Sequence, residues 1–189
     1  MPLHIPSAPA PVERSVRTAL RSTAARPPHP LHHHRAALRP VMPLPLHLLS
    51  PGGDTAGAPR TRLAGWRYLL ELNSRAVGAA ETMLTADGWA FSHFSEGPFT
   101  ASTREALGQA DSLPADYQPR LLSVPELYML TLWLHADTGA DPQEGSPAAP
   151  DLLVPLAPAP PGIPPGLPLE VGRLMDLLSS RRAPAGLTG

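Results

Sequence analysis

SVPELYMLTLWLH, residues 123–135, is the most apolar run of the chain, and its reading decides the fold. Ser123 and Glu126 stand in the S-x-x-E relation of a capping box, in which the hydroxyl bonds a first-turn N–H and the carboxylate reaches back. Pro125 would then lie in the first helical turn, where a missing N–H is harmless. Read as a helix, Leu127, Tyr128, Met129, Leu130, Leu132, Trp133 and Leu134 point in every direction, and an all-round apolar helix is a buried one. It is too short to span a bilayer, which takes about 20 such residues. Gly139 is placed to end it. A buried strand over Tyr128 to Leu134 is the rival, because periodicity does not separate the two for so short a run. The start signal favours the helix, which becomes the central element of the expected fold.

Working outward, residues 63–84 read as a first long helix. Trp66, Leu69, Leu70, Asn73, Val77, Ala80 and Leu84 follow three- and four-residue spacings, while Arg67, Glu71 and Arg75 sit four apart on another face. Asp87-Gly88 signals a turn, and WAFSHF (89–94) alternates with period two as a strand. Residues 103–112 read as a second helix, with Ser102 and Glu105 as another capping box and Pro114 as its stop. A short strand over 120–123 leads into the central run. Beyond it lie a polar loop (137–150), a short strand over 152–156, an extended proline-rich stretch (157–168) and a last helix over 169–181. The stretch 157–168 is read as a linker, with a P-x-x-P recognition motif as the other reading.

The first third differs in composition. Residues 1–62 hold eight Arg against Glu13 and Asp54, whereas 63–189 hold seven Arg against fourteen acids. All nine aromatic residues fall between Trp66 and Trp133, and twelve Pro precede residue 61. Such a segment buries too little apolar surface to offset its chain entropy. The expected architecture is therefore a small single α+β domain at 63–182, about four helices around a short sheet. A disordered, basic Pro/Arg/His-rich segment (1–62) precedes it, and a flexible tail (183–189) follows.

Within the first third, residues 12–26 form the longest Pro-free run, Arg-rich and acid-poor as in a transit peptide. A solvated tail, or sequence upstream of a true start at Met42 rather than Met1, is the simpler reading. VMPLPLHLLS (41–50) before Ala56-Gly57-Ala58 imitates a secretory signal, but Pro43, Pro45 and His47 interrupt it. His29, His32, His33, His34 and His47 form a patch able to bind a transition metal adventitiously, without the second-shell partners of a built site. The absence of Cys excludes a disulfide scaffold and a Cys-based zinc site or nucleophile. All fifteen basic residues are Arg, and Ile and Asn are scarce, which reflects GC-rich coding rather than nucleic-acid recognition.

No phosphate loop, G-x-G-x-x-G, H-E-x-x-H or nucleophile elbow occurs. The best polar cluster is Ser92, His93, Ser95 and Glu96, suited in residue type to acyl transfer. His93 is more simply an amphipathic residue on a strand face. His135 and Asp137 close the central run, where a helix C-terminus would favour a protonated His and Asp137 would serve a turn. A metal shared by His93, Glu96, His135 and Asp137 is allowed by residue type and required by nothing in the spacing.

The leading expectation is a non-catalytic accessory or binding protein in the cytoplasm, meeting a protein partner, with no cofactor, no metal and no membrane span. One alternative is a small hydrolase or metal-dependent enzyme using Ser92, His93, Glu96, His135 and Asp137. The other is nucleic-acid binding through the Arg-rich arm, against which the lack of arm aromatics counts.

Overall fold

The structure is a computed structural model, and it describes residues 3–22, 25, 31, 34–50 and 59–182. Among the described residues, eight strands form one mixed sheet: β1 (Arg39–Leu49), β2 (Thr61–Leu72), β3 (Arg75–Thr85), β4 (Gly88–Ser95), β5 (Gln118–Val124), β6 (Met129–His135), β7 (Leu152–Pro155) and β8 (Leu169–Glu170). Their order across the sheet is β4-β3-β2-β1-β5-β6-β7-β8. Three α-helices are present among the described residues: α1 (Ala10–Arg21), α2 (Pro98–Ala110) and α3 (Val171–Arg182). The expectation of about four helices around a short sheet, behind a disordered segment, is corrected to a sheet-dominated α+β fold.

The corrections have physical causes. The run 123–135 is a hairpin rather than a helix: Ser123 pairs with Leu130 across β5 and β6, Pro125 to Leu127 make one 3-10 turn, and Tyr128 turns back with φ +50°. Every residue from Met129 to Leu134 is buried, so β6 is covered on both faces and shows no period-two signature. The rival strand reading is the one realised. The expected first helix is likewise the β2–β3 hairpin, closed by Asn73 and Ser74, both at positive φ as a two-residue hairpin turn demands. Trp66 to Leu70 are all buried, which erases alternation there too. Arg67 reaches across the hairpin to Glu81 instead of along a helix to Glu71. The β4 strand, the 120–123 and 152–156 strands and the last helix lie close to their expected spans. The second helix starts earlier, at Pro98, so Ser102 is no cap; its Oγ accepts from the Ala157 N–H at 2.7 Å.

The first third also departs from the expected disorder. Val12, Val16, Ala19 and Leu20 of α1 are buried against Trp66, Tyr68, Leu70, Ala80 and Phe94. Their three- and four-residue spacing supplies one apolar stripe, with Arg14, Arg17 and Arg21 on the wet side and Arg17 bonded to Glu13 at 2.9 Å. The central place of β1 is unexpected for a strand holding Pro40, Pro43 and Pro45, since proline brings no ladder donor. The structure resolves this by position. Pairing of β1 with β2 is antiparallel and runs from Arg39 to Leu49, with a bulge at Met42–Pro43; the parallel pairing with β5 spans only Leu46 to Leu48, past the last proline. Along its proline-bearing part β1 is thus an edge on the β5 side.

α1 and α3 cover one face of the sheet and α2 the other. Beneath α2, Ala106, Leu107 and Ala110 meet Leu44, Leu69, Leu121, Leu132 and Leu134, joining the two sides of the β1–β5 seam. Beneath α3, Val171, Leu174 and Leu178 meet Leu122, Val124, Met129, Trp133 and Leu153. Ile163, from the proline-rich 157–168 stretch, is buried in the same cluster, so that stretch is anchored by a side chain. Thr131 lies among these apolar groups, fully buried, with no hydrogen-bond partner for its hydroxyl. Thr131→Val keeps the shape and removes the orphan, so it should raise stability by about 1 kcal/mol, read as a higher thermal midpoint. An unchanged or lower midpoint would count against this reading. The expected tail 183–189 lies outside the described residues. So do His29, His32, His33 and Ala56 to Ala58.

Candidate functional site

The candidate residues fall in two places. On the α2 face, Arg67, Glu81 and His93 stand side by side on β2, β3 and β4. Arg67 Nη1 donates to Glu81 Oε1 at 2.5 Å, and both side chains are largely shielded. The imidazole of His93 is half exposed, with Nδ1 3.0 Å from Ser92 Oγ and Nε2 3.9 Å from Glu81 Oε2. The second distance exceeds a hydrogen bond, and Glu81 is already committed to Arg67. The carboxylate nearest His93 is therefore Glu81, a residue inside the expected first helix 63–84; Glu96 is exposed.

His135 lies at the end of β6, five strand positions from β4. At the usual spacing that is about 24 Å across the sheet, far beyond a shared hydrogen bond or metal. The structure does not bring His93 and Glu96 together with His135 and Asp137, and no group of three metal-ligating side chains occurs among the described residues. Asp137 is a turn residue: its Oδ1 accepts from the Gly139 N–H at 3.0 Å.

Around His135 the structure builds a second, buried polar assembly. Asp151, only 3% exposed, accepts four sets of donors: Trp133 Nε1 at 2.7 Å, His135 Nδ1 at 2.9 and 3.0 Å, Ala136 N at 3.0 Å and Ala148 N at 3.2 Å. Because a carboxylate only accepts, His135 carries its proton on Nδ1 and turns Nε2 away. One strand over, Arg120 is fully buried above the Trp133 ring, 4.8 Å from its centroid. Its guanidinium donates to Gln118 Oε1 (2.8 Å), Asp141 O (3.0 Å) and Glu144 O (2.5 Å), while Gln118 Nε2 donates to Ala140 O (2.9 Å) and Thr138 O (3.3 Å). Across the seam, His47 on β1 donates from Nε2 to Pro142 O at 3.0 Å and packs edge-on against Trp133.

Strand register places these groups together: Gln118 faces His135, Arg120 faces Trp133, and His47 neighbours Leu122 in the parallel pair. Residues 136–150 then lie over them as a strap whose carbonyls take the sheet's donors. Thr61 adds a further tie, its N–H donating to Ser146 Oγ and its hydroxyl to Gly145 O. Burial is the largest influence on both Arg120 and His47. It lowers the guanidinium from its ordinary value, opposed by Asp151, Asp141 and Asp137. It pushes the His47 imidazole down to about 4, opposed by the Pro142 bond and reinforced by Arg120 and His135.

Chemically, the assembly fixes a loop. Arg120, Gln118 and Asp151 spend their hydrogen-bonding capacity on the chain itself, and His135 is held in a single tautomer. The only sequence cue for this cluster was the alternation of Gln118, Arg120 and Leu122, and of Thr131, Trp133 and His135, which becomes visible once both segments are read as strands. A shallow cavity of about 600 Å³ lies beside it, lined by Pro59, Pro147, Pro150, Leu152 and Glu170.

No helix among the described residues is long and apolar enough to cross a membrane. Comparison of the chain with protein-family models, with curated proteins and with solved structures finds no match.

Proposed function

We propose that this protein is a non-catalytic binding protein that meets a protein partner in the cytoplasm by adding an extended segment of that partner to the edge of β4. The observation that carries this reading is the character of that edge. Among the described residues β4 pairs on one side only, with β3, and its residues 88–95 carry no formal charge. Natural sheets usually blunt an edge with charges or proline; β4 has neither, only a bulge at Ser92. Met83 and Leu84 on β3 are about half exposed beside it, at 46% and 54%. Acidic residues bracket the strand, Asp87 before it and Glu96 after it. The fitting occupant is a neutral extended segment with a basic residue at each end, held by main-chain bonds in the manner of strand addition.

A ten-residue peptide of alternating Val and Thr with Arg at both ends serves as probe, against the same peptide ended by Glu. Fluorescence anisotropy should show the Arg-ended peptide binding about tenfold more tightly, given two exposed charge contacts. The double variant Asp87→Arg, Glu96→Arg should reverse the preference. Equal binding of both peptides, binding of neither, or an unreversed preference would overturn the proposal.

A further inference from the structure

The strap over residues 136–150 accepts from Arg120, Gln118 and Thr61, donors that carry a permanent charge or never titrate, while at its ends the Ala136 and Ala148 N–H groups donate to Asp151. His47 differs. It is 1% exposed, it holds the strap at Pro142, and it does so from β1, across the parallel seam. A carbonyl only accepts, so Nε2 carries the proton and the neutral ring leaves Nδ1 as a bare lone pair. That nitrogen is buried and has no hydrogen-bond partner. A second proton would have to go there, converting the lone pair into a buried N–H with no acceptor.

The groups facing His47 make a second proton no easier. From β5 comes the Arg120 guanidinium and from β6 the His135 ring, both unfavourable to added positive charge. The nearby carboxylates are engaged elsewhere. Asp151 is held by Trp133, His135 and two backbone amides, Asp137 by the Gly139 N–H and Asp141 by the Gln143 N–H. Glu144 is an exposed residue that meets Arg120 through its backbone carbonyl.

We propose that residues 136–150 form an acid-operated latch: a second proton on His47 leaves an unhydrated charge and an acceptor-less Nδ1–H beneath the strap, and the strap lifts to let water reach them, giving up a Pro142 bond that by itself favours the charged ring. Opening uncovers the Arg120 guanidinium and the Trp133 ring, both fully buried beneath the closed strap. The sign follows from the two states. Closed, His47 titrates at about 4; open to water, it returns to its ordinary 6.5. The latch is therefore fully shut above the open-state value and loosens as pH falls through the interval toward the closed-state value. At pH 5 the opening equilibrium should stand about 30-fold above its neutral-pH value. The latch does not rest on strand addition at β4, which lies at the far end of the sheet.

Amide hydrogen exchange of the full chain, read by mass spectrometry between pH 7.5 and 5 and corrected for intrinsic rates, tests this. Protection of peptides within 136–150 should fall about 30-fold at pH 5 while β2 and β3 keep theirs. In His47→Gln the side-chain amide can still donate to Pro142 O but does not titrate, so the pH dependence of the strap should vanish. A parallel NMR titration of the His47 ring in the unaltered protein covers the case in which that variant fails to fold; ring protonation and strap exposure should share one midpoint. Strap protection that stays flat down to pH 5, or that falls while the His47 ring remains neutral, would overturn the latch.

Discussion

Gly65→Ala should cost at least about 3 kcal/mol and leave little folded protein, because the added methyl has nowhere to go. A Cβ at Gly65 would lie 1.8 Å from the carbonyl oxygen of Thr82 and 2.9 Å from its carbonyl carbon. Both are backbone atoms of β3, so no rotamer change can relieve the clash. At this point β2 and β3 are also joined by side chain: the Trp66 N–H lies 3.2 Å from Thr82 Oγ1, and that hydroxyl lies 3.3 Å from Trp66 O. Pushing the strands apart would break this tie and unseat Trp66, which is fully buried under α1. Urea unfolding at neutral pH is the measurement. A midpoint within experimental error of the unaltered protein would mean that the two strands approach less closely than described.

Asp151→Ala should rank next, at about 3 to 5 kcal/mol. The loss is not that of one ion pair. Removing the carboxylate leaves the Trp133 indole N–H, the His135 ring N–H and the backbone N–H groups of Ala136 and Ala148 without their acceptor. Two of these belong to the strap's two ends, so the anchor at each end is lost together. Asp151→Asn is the informative companion. It preserves volume and one acceptor oxygen but turns an NH2 toward a group of donors, so it should recover only part of the loss. If Asn matched the unaltered protein in urea unfolding, the dense donor set around Asp151 would not be what stabilises this corner.

What could be read from the sequence, and what could not, follows from burial. β4 reads as a strand from Trp89-Ala-Phe91, but the bulge at Ser92 breaks the alternation, so that Phe94 joins Trp89 and Phe91 on the shielded face and His93 lies on the other; α3 shows its stripe because one side is wet. β2 and β6 are buried on both faces, and a strand in that position has no reason to alternate. Trp66, Leu69, Leu70, Val77 and Ala80 then fell by chance at helical intervals, and Ser123-Val-Pro-Glu imitated a capping box at what is the start of a hairpin turn. The 1–62 segment misled through composition: its mean apolarity is low, but Val12, Val16 and Leu20 place what there is on one stripe. The candidate residues suffered accordingly. His135 stands out in the sequence, but its partner Asp151 falls between the 137–150 loop and the 152–156 strand, where no motif marks it. Nothing in the sequence marks Arg120 or Gln118, and His47 reads there only as part of a His patch; their convergence depends on a strand register that the helix reading conceals.

The single parallel pairing in the sheet has a consequence for how the chain finds this arrangement. Of the neighbouring pairs in β4-β3-β2-β1-β5-β6-β7-β8, every one except β1–β5 joins strands consecutive in sequence. The two antiparallel runs are thus meanders built from local contacts, whose loop-closure entropy is small. Among the pairings of these eight strands, the non-local one is a seam of three residue pairs, Leu46 to Leu48 against Leu121 to Ser123. In contact-order terms an eight-stranded sheet is reduced to two short problems and the docking of one on the other, in which the leucines beneath α2 bury apolar surface from both sides.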